Sequence, residues 1–330
     1  MNKQLAVEPL PKHAVRASLP PLSLKLAVIA TLAMGSIDVL ATEGGGNSYP
    51  IGVETNFNAG MMLPEGLHTF LYYQYYTASQ LKDNNGNDNP RVASFKVQAN
   101  AVAVRLSFVW PGVKIFGANI ETRLIQAYSM TDLTLDIARP PPLSSLDKGG
   151  HGSGLADTVL VPIILGWHSQ TYHQTVGVDT HLATGAYNAS AAVNIGRNYY
   201  QVAPFYALTW FPTDKLDISA KFRYGFNTRN QTTNYQSGDE ATIEFSVGYR
   251  VTPAFAAGVN GYIYRQTTDD KQNGVVVNGN GNRGRVDALG PYFRYSFTPK
   301  IAVAVKLQQE FHARNRPQGT RVWAQASLPF

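Results

Sequence analysis

At 330 residues the chain is long enough for two soluble domains, yet only 15% of it is charged, against roughly 25% in an average soluble domain. The formal charge of +6 is spread along the sequence with no basic run interleaved with aromatics, which argues against a nucleic-acid partner. Cysteine is absent, as an oxidising compartment permits.

The first 41 residues read as an export signal. Lys3, Lys12, Arg16 and Lys25 supply positive charge, 26–34 is a short apolar run, and Val39-Leu40-Ala41 is a small-residue cleavage site. That run is shorter than the about 20 residues a spanning helix needs, and no later run is longer. A membrane protein without such helices must be a closed barrel, because lipid cannot satisfy an open sheet edge. Residues 42–64, rich in Gly and Asn, are expected to form a periplasmic lead-in to a barrel over 65–330.

Strand-like segments then follow one another. Residues 67–79 are aromatic (Phe70, Tyr72, Tyr73, Tyr75, Tyr76) and lead to a polar loop over 83–88. In 95–110, Val102, Val104, Leu106, Phe108 and Trp110 share one face, with Arg105 and Ser107 opposite. Pro111-Gly112 predicts a tight turn into 113–130, although 121–130 would also suit a helix. A long connection over 131–157 carries Arg139-Pro140-Pro141-Pro142 and a glycine-rich run. Segments 155–167 and 172–184 are expected to pair across a turn near Ser169, and 199–211 to turn at Pro212-Thr213-Asp214. The clearest alternation comes next. Leu216, Ile218, Ala220, Phe222, Tyr224 and Phe226 alternate with Asp217, Ser219, Lys221, Arg223 and Gly225, and 243–251 repeats the pattern. Turns at 251–253 and 298–300 are short; 227–239, 267–284 and 314–319 read as longer loops before a last strand over 321–330.

The expectation is an all-β transmembrane antiparallel up-and-down β-barrel of twelve strands, with short periplasmic turns and long external loops, in a bacterial outer membrane. The ambiguous third segment leaves ten or fourteen strands open. A lipid-facing Arg or Lys near the midplane would cost about 2–4 kcal/mol, so the charged face must be the lumen. Its candidate lining residues are Arg105, Glu121, Arg123, Lys221, Arg223, Glu244, Arg250, Arg294, Lys306, Glu310 and Arg321. Such charges either tune which solutes pass a pore or pair across the lumen and plug it. Trp110, Trp167, Trp210, Phe211, Tyr199 and Tyr200 are expected in interfacial girdles. Arg197, Asn198, Arg285, Asp287, Asn315 and Arg316, at loop–strand junctions, are expected to brace the external loops. The expected partners are outer-membrane lipids, a small-molecule solute and, through the terminal aromatic Phe330, the outer-membrane assembly machinery.

No cofactor, metal or catalytic set is expected. His168, His173 and His181 lie near one short turn but lack a nearby acidic partner in sequence. His151 with Ser153 or Asp157 is the only nearby set an outer-membrane hydrolase could use, and no motif supports it.

A series of short strings adds a family resemblance. They include Glu43-Gly44-Gly45, Gly154-Leu155-Ala156-Asp157, Leu165-Gly166-Trp167-His168, Asn194-Ile195-Gly196-Arg197-Asn198-Tyr199-Tyr200, Tyr235-Gln236-Ser237-Gly238-Asp239-Glu240, Gln266-Thr267-Thr268-Asp269-Asp270, Gly284-Arg285-Val286-Asp287-Ala288-Leu289-Gly290-Pro291 and Arg316-Pro317-Gln318-Gly319. In their order they resemble the bacterial outer-membrane family named for the MetA pathway of phenol degradation. The resemblance implies a Gram-negative outer-membrane barrel linked to passage of aromatic or other hydrophobic nutrients, and it brings no catalytic residues. The expected function is therefore a channel or facilitator for passive uptake of small, hydrophobic or phenol-like solutes, gated by loops 131–157 and 267–284. An outer-membrane lipid hydrolase or protease on a similar barrel, or a non-conducting structural barrel, are the alternatives.

Overall fold

The computed structural model describes residues 46–140, 143–298 and 301–329. The expected export signal, the start of the lead-in and the terminal Phe330 lie outside them. Twelve antiparallel strands make the barrel: β1 Gly66–Leu81, β2 Val92–Ile115, β3 Ala118–Ile137, β4 Thr158–His168, β5 Tyr172–Leu182, β6 Gln201–Thr213, β7 Leu216–Asn227, β8 Glu240–Arg250, β9 Phe255–Gln266, β10 Arg285–Ser296, β11 Ala302–Arg314 and β12 Pro317–Pro329. Each pairs with its neighbours in sequence, and β1 closes the ring on β12 from His68↔Pro329 to Leu81↔Pro317. Closure satisfies every edge, as a hydrocarbon surround demands.

The period-two pattern sorts the faces as expected. Val102, Val104, Phe222, Phe293 and Val305 point outward and exposed, whereas Arg105, Lys221 and Arg223 are buried inside. Trp110, Trp210, Tyr200, Tyr249 and Tyr295 lie exposed near strand ends, where aromatic girdles belong. Tyr199, expected among them, is instead buried.

Three connections differ from expectation. Pro111-Gly112 does not turn the chain: β2 runs past it with a register shift, and the reversal falls at Phe116 and Gly117. Both have positive φ (50° and 76°), the signature of a two-residue type I′ hairpin. The possible helix at 121–130 is strand throughout, because its inward residues meet the lumen and its outward ones lipid. The loop expected over 314–319 shrinks to a turn at Asn315 and Arg316. Beyond the membrane, Gly150–Leu155 pairs back onto Tyr128–Leu133, so part of the long connection extends the barrel wall. Tyr235–Gln236, Lys271–Gln272 and Val275–Val276 form a separate small external sheet.

Close packing inside the wall depends on one row of residues across four strands: Asp217, Gly248, Gly258 and Tyr292 stand side by side. The Tyr292 ring lies across both glycines, and a Cβ on Gly258 would fall 2.1 Å from the Val247 carbonyl oxygen and 2.7 Å from the ring. Gly258→Val is expected to destabilise the barrel by about 1–3 kcal/mol of overpacking. The measurement is the temperature at which the compact, heat-modifiable species unfolds in detergent; an unchanged midpoint would show that the row is not close-packed.

Candidate functional site

Among the described residues the lumen of the barrel is partly filled by the chain's own N-terminal segment. Residues 46–63, part of the expected periplasmic lead-in, run down the lumen from the external end to the short-turn end before β1 begins. At the outer end, Asn47 accepts a hydrogen bond from Arg316 at 3.2 Å, in the β11–β12 turn. Tyr49 packs against the Arg223 guanidinium, 4.4 Å from the ring centre, and edge-on to His181. At the other end the Gly60 amide donates to Thr209 at 3.0 Å, and Met62 reaches Gly166.

This segment has no strand partner, so its backbone groups must find side chains. Glu244 accepts from the amides of Gly52 and Glu54, both at 2.8 Å. Lys306 donates to the carbonyls of Val53 (3.1 Å) and Glu54 (3.0 Å), Gln308 to Gly52 (3.1 Å), Gln325 to Val53 (2.7 Å) and Arg321 to Ile51. Arg294 donates to the Asn56 carbonyl at 2.8 Å and reaches Asp217 at 3.4 Å. A strand-alternation pattern delivers all these groups inward from β7–β12, and the threaded chain takes up their hydrogen-bonding capacity.

The opposite wall is different. Between the threaded chain and β1–β4 lies a cavity of about 350 Å³. On the β2–β4 side its wall includes Val97, Ala99, Ala101, Ala103, Ile125, Ala127, Val159 and Val161; Asp179, His181, Arg316, Arg321 and residues 192–195 of the external β5–β6 connection also border it. A second cavity of about 30 Å³ lies among Val53–Met61 and Gln325. Val53, Glu54, Tyr72, Arg105 and Arg123 border both, so these five residues lie between the two spaces as a partition. Arg123 is clamped on Glu121 by paired hydrogen bonds. Arg105 is held more loosely: its guanidinium stacks 3.8 Å over Phe70 and lies 3.9 Å from Glu54, while its buried Nε has no hydrogen bond among the described residues.

The structure brings together ten of the eleven charges singled out from sequence. Glu244, Arg294, Lys306 and Arg321 hold the threaded chain, and Glu310 accepts from Tyr76 (2.9 Å) and Tyr262 (2.5 Å) beside Arg321. Lys221 and Arg223 pair with Asp179 at 3.3 and 3.2 Å, and Arg105 and Arg123 lie between the two cavities, with Glu121 paired to Arg123. Arg250 is exposed at the short-turn end of β8 and joins none of these groups. These charges are taken up in two ways, by neighbouring wall side chains, as in Arg123–Glu121, Arg321–Glu310 and Lys221/Arg223–Asp179, or by the threaded chain, as at Glu244 and Lys306. The residues that sequence reading passed over are the alanines at 99, 101, 103 and 127. Their signal was present as small residues on an otherwise inward-facing register.

Other candidates separate. His168 and His173 meet at 3.2 Å, but His181 sits at the far end of β5, bonded to Arg223. Among the described residues no three metal-ligating side chains gather. His151 pairs with Asp132 at 2.7 Å, not with Ser153 or Asp157, and Asp157 accepts from the amides of Gly185 and Arg197. Asn198 bonds Asn230 and Thr232, and Asn315 bonds Asn84 and the Arg283 carbonyl, so both brace loops. Of the two loops expected to gate, only the strand-flanking parts of 131–157 reach the cavity, and none of 267–284 does among the described residues.

Comparison with known proteins adds the family and the fold. The family described as "Putative MetA-pathway of phenol degradation" matches residues 78–326. No curated protein sequence matches the chain. Among solved structures, an outer membrane channel from Pseudomonas putida F1 aligns with a TM-score of 0.66 at 17% identity, over 84% of this chain and 100% of that one. The NanC porin aligns with a TM-score of 0.43 at 11% identity over 79% and 100%. The CymD monoaromatic hydrocarbon channel does so with 0.43 at 9% over 80% and 88%. The fold is that of a bacterial outer-membrane barrel.

Glu244→Ala removes the acceptor of two buried amides, and each unsatisfied group costs about 1–3 kcal/mol. Hydrogen exchange at residues 50–56 is expected to accelerate by roughly tenfold to a hundredfold while the barrel strands keep their protection. Equal protection in variant and wild type would show that the chain is held elsewhere.

Proposed function

The chain belongs to the MetA-pathway phenol-degradation family, and from that membership and the lumen geometry we propose that it is a passive outer-membrane facilitator for small, predominantly apolar solutes of aromatic, phenol-like character. One observation carries the reading: a cavity whose β2–β4 wall is mainly alanine and valine, with Asp179, His181 and Arg321 at its edge, set apart from a smaller cavity by Val53, Glu54, Tyr72, Arg105 and Arg123. A volume of about 350 Å³ is within the ~300–1,000 Å³ range of small-molecule sites. An apolar cavity of roughly 150 Å³ already accepts benzene, so one or two rings fit here. Alanine walls offer contact without specific hydrogen bonds, which suits passage better than tight capture. Arg105 is the movable member of the partition, and a solute hydroxyl could accept its unused donor as the ring passes.

A catalytic role finds less support. The one Ser/His/Asp grouping considered from sequence is dispersed, with His151 on Asp132 and Asp157 committed to backbone amides. We therefore read the chain as a non-enzyme.

The deciding experiment compares wild type with Arg105→Ala in planar bilayers and in phenol-loaded proteoliposomes. Phenol efflux is expected to rise several-fold in the variant, and phenol is expected to reduce ion current in both proteins. Unchanged efflux together with phenol-insensitive current would sink the reading. Hydrolysis of lipid and peptide substrates lost on His151→Ala would establish the enzyme instead.

A further inference from the structure

Outside the lumen, three arginines align across neighbouring strands. Arg265 of β9 stands opposite Arg285 of β10, which stands opposite Arg314 of β11. Their inward neighbours Tyr264, Val286 and Ala313 are buried in the barrel interior, so the arginines share the outward face. They sit at the external ends of their strands. Just below them on the same face, Ile263, Leu289 and Phe311 are exposed to lipid.

One carboxylate serves this row. Asp287 accepts from Arg265 at 2.5 Å and lies 3.6 Å from Arg285 and 3.2 Å from His312. It orients two guanidiniums without neutralising three. The Arg285 Nε is buried and makes no hydrogen bond among the described residues, and the exposed Arg314 guanidinium enters none of these bonds. Across the barrel, by contrast, the outward His151 is paired with its own carboxylate, Asp132.

From this placement we propose that the outward faces of β9–β11 bind a phosphorylated glycolipid of the outer leaflet, lipopolysaccharide. A ligand on this surface must lay apolar chains on the Ile263–Leu289–Phe311 belt and present anionic groups at the arginine row directly above. A phosphorylated, multiply acylated glycolipid does both at once. Arginine forks match phosphate oxygens bidentately, and the low-dielectric boundary strengthens the pairing. An acidic soluble protein would use the charges but not the belt. Occupancy there would tie β9, β10 and β11 together at the strand ends that carry the external loop 267–284. The inference is independent of what passes through the lumen.

The test uses the full mature chain in detergent micelles, titrated with lipopolysaccharide, with its dephosphorylated form and with phosphatidylglycerol, and read by native mass spectrometry. Lipopolysaccharide is expected to bind wild type at least tenfold more tightly than either control. Each arginine lost should weaken binding roughly fivefold, so Arg265→Gln/Arg285→Gln/Arg314→Gln should lose about a hundredfold. Should the triple variant fail to give the heat-modifiable barrel, Arg314→Gln alone decides, because its guanidinium supports no internal bond. Undiminished binding by the variant that folds, or equal binding of dephosphorylated glycolipid, would overturn the proposal. Phosphatidylglycerol binding as tightly as lipopolysaccharide would overturn the choice of ligand.

Discussion

The structure depends on a reciprocal debt between buried charges and an unpaired backbone. Glu244, Lys306, Gln308, Arg321 and Gln325 project from β8, β11 and β12 into a lumen too narrow to hydrate them freely. The extended stretch around Ile51–Glu54 has amides and carbonyls with no strand beside them. Neither set is stable alone in a low-dielectric interior, where an unmade hydrogen bond costs more than a made one contributes. Together they close the lumen on one side. The barrel wall, the cavity and the partition all take their shape from where that threaded chain lies.

The asymmetry of the lumen follows. Strands β7–β12 supply long polar side chains along the threaded chain, whereas β2–β4 supply mainly alanine and valine, with Arg105, Glu121 and Arg123 as their buried charges. A ring of charge around the whole circumference would have left several ions unpaired, since the single segment 46–63 can lie against only part of the wall. Small apolar residues on the remaining wall avoid that cost and leave space beside the threaded chain.

The strand plan was legible because lipid imposes it. A period of two with aromatic outward faces suits a barrel or a soluble sandwich, the loop asymmetry favours the barrel, and the inward charges on Lys221, Arg223, Glu244 and Lys306 were readable by parity alone. What parity does not encode is the third dimension of the lumen. Residues 46–63 show no alternation, because they pair with side chains rather than with a strand, so their Gly- and Asn-rich sequence looks like any loop. The Pro111-Gly112 turn misled for a similar reason: proline and glycine also mark register shifts, and the positive-φ pair that reverses the chain includes Phe116, a residue few turns would choose. His181 looked close to His173 in sequence, but eight residues along a strand put it at the other end of the barrel.

Energetics also bears on how the proposed passage of a solute would use the lumen. Expelling the whole threaded chain would break the bonds from Glu244, Lys306, Gln308, Gln325, Arg321 and Arg294 together. At about 1–3 kcal/mol for each buried group left unsatisfied, the total approaches the stability of a whole domain. The partition is held far less firmly. Arg105 has a stacking contact with Phe70 and a 3.9 Å approach to Glu54, and Lys221, the other cation at Glu54, stands at 3.6 Å with Asp179 as a second partner. Swinging one side chain across a space already bounded by alanines costs a rotamer change and a weak ion contact. For the proposed facilitator, the low-energy route leaves the threaded chain in place as the fixed wall of the passage, with Arg105 as the part that yields.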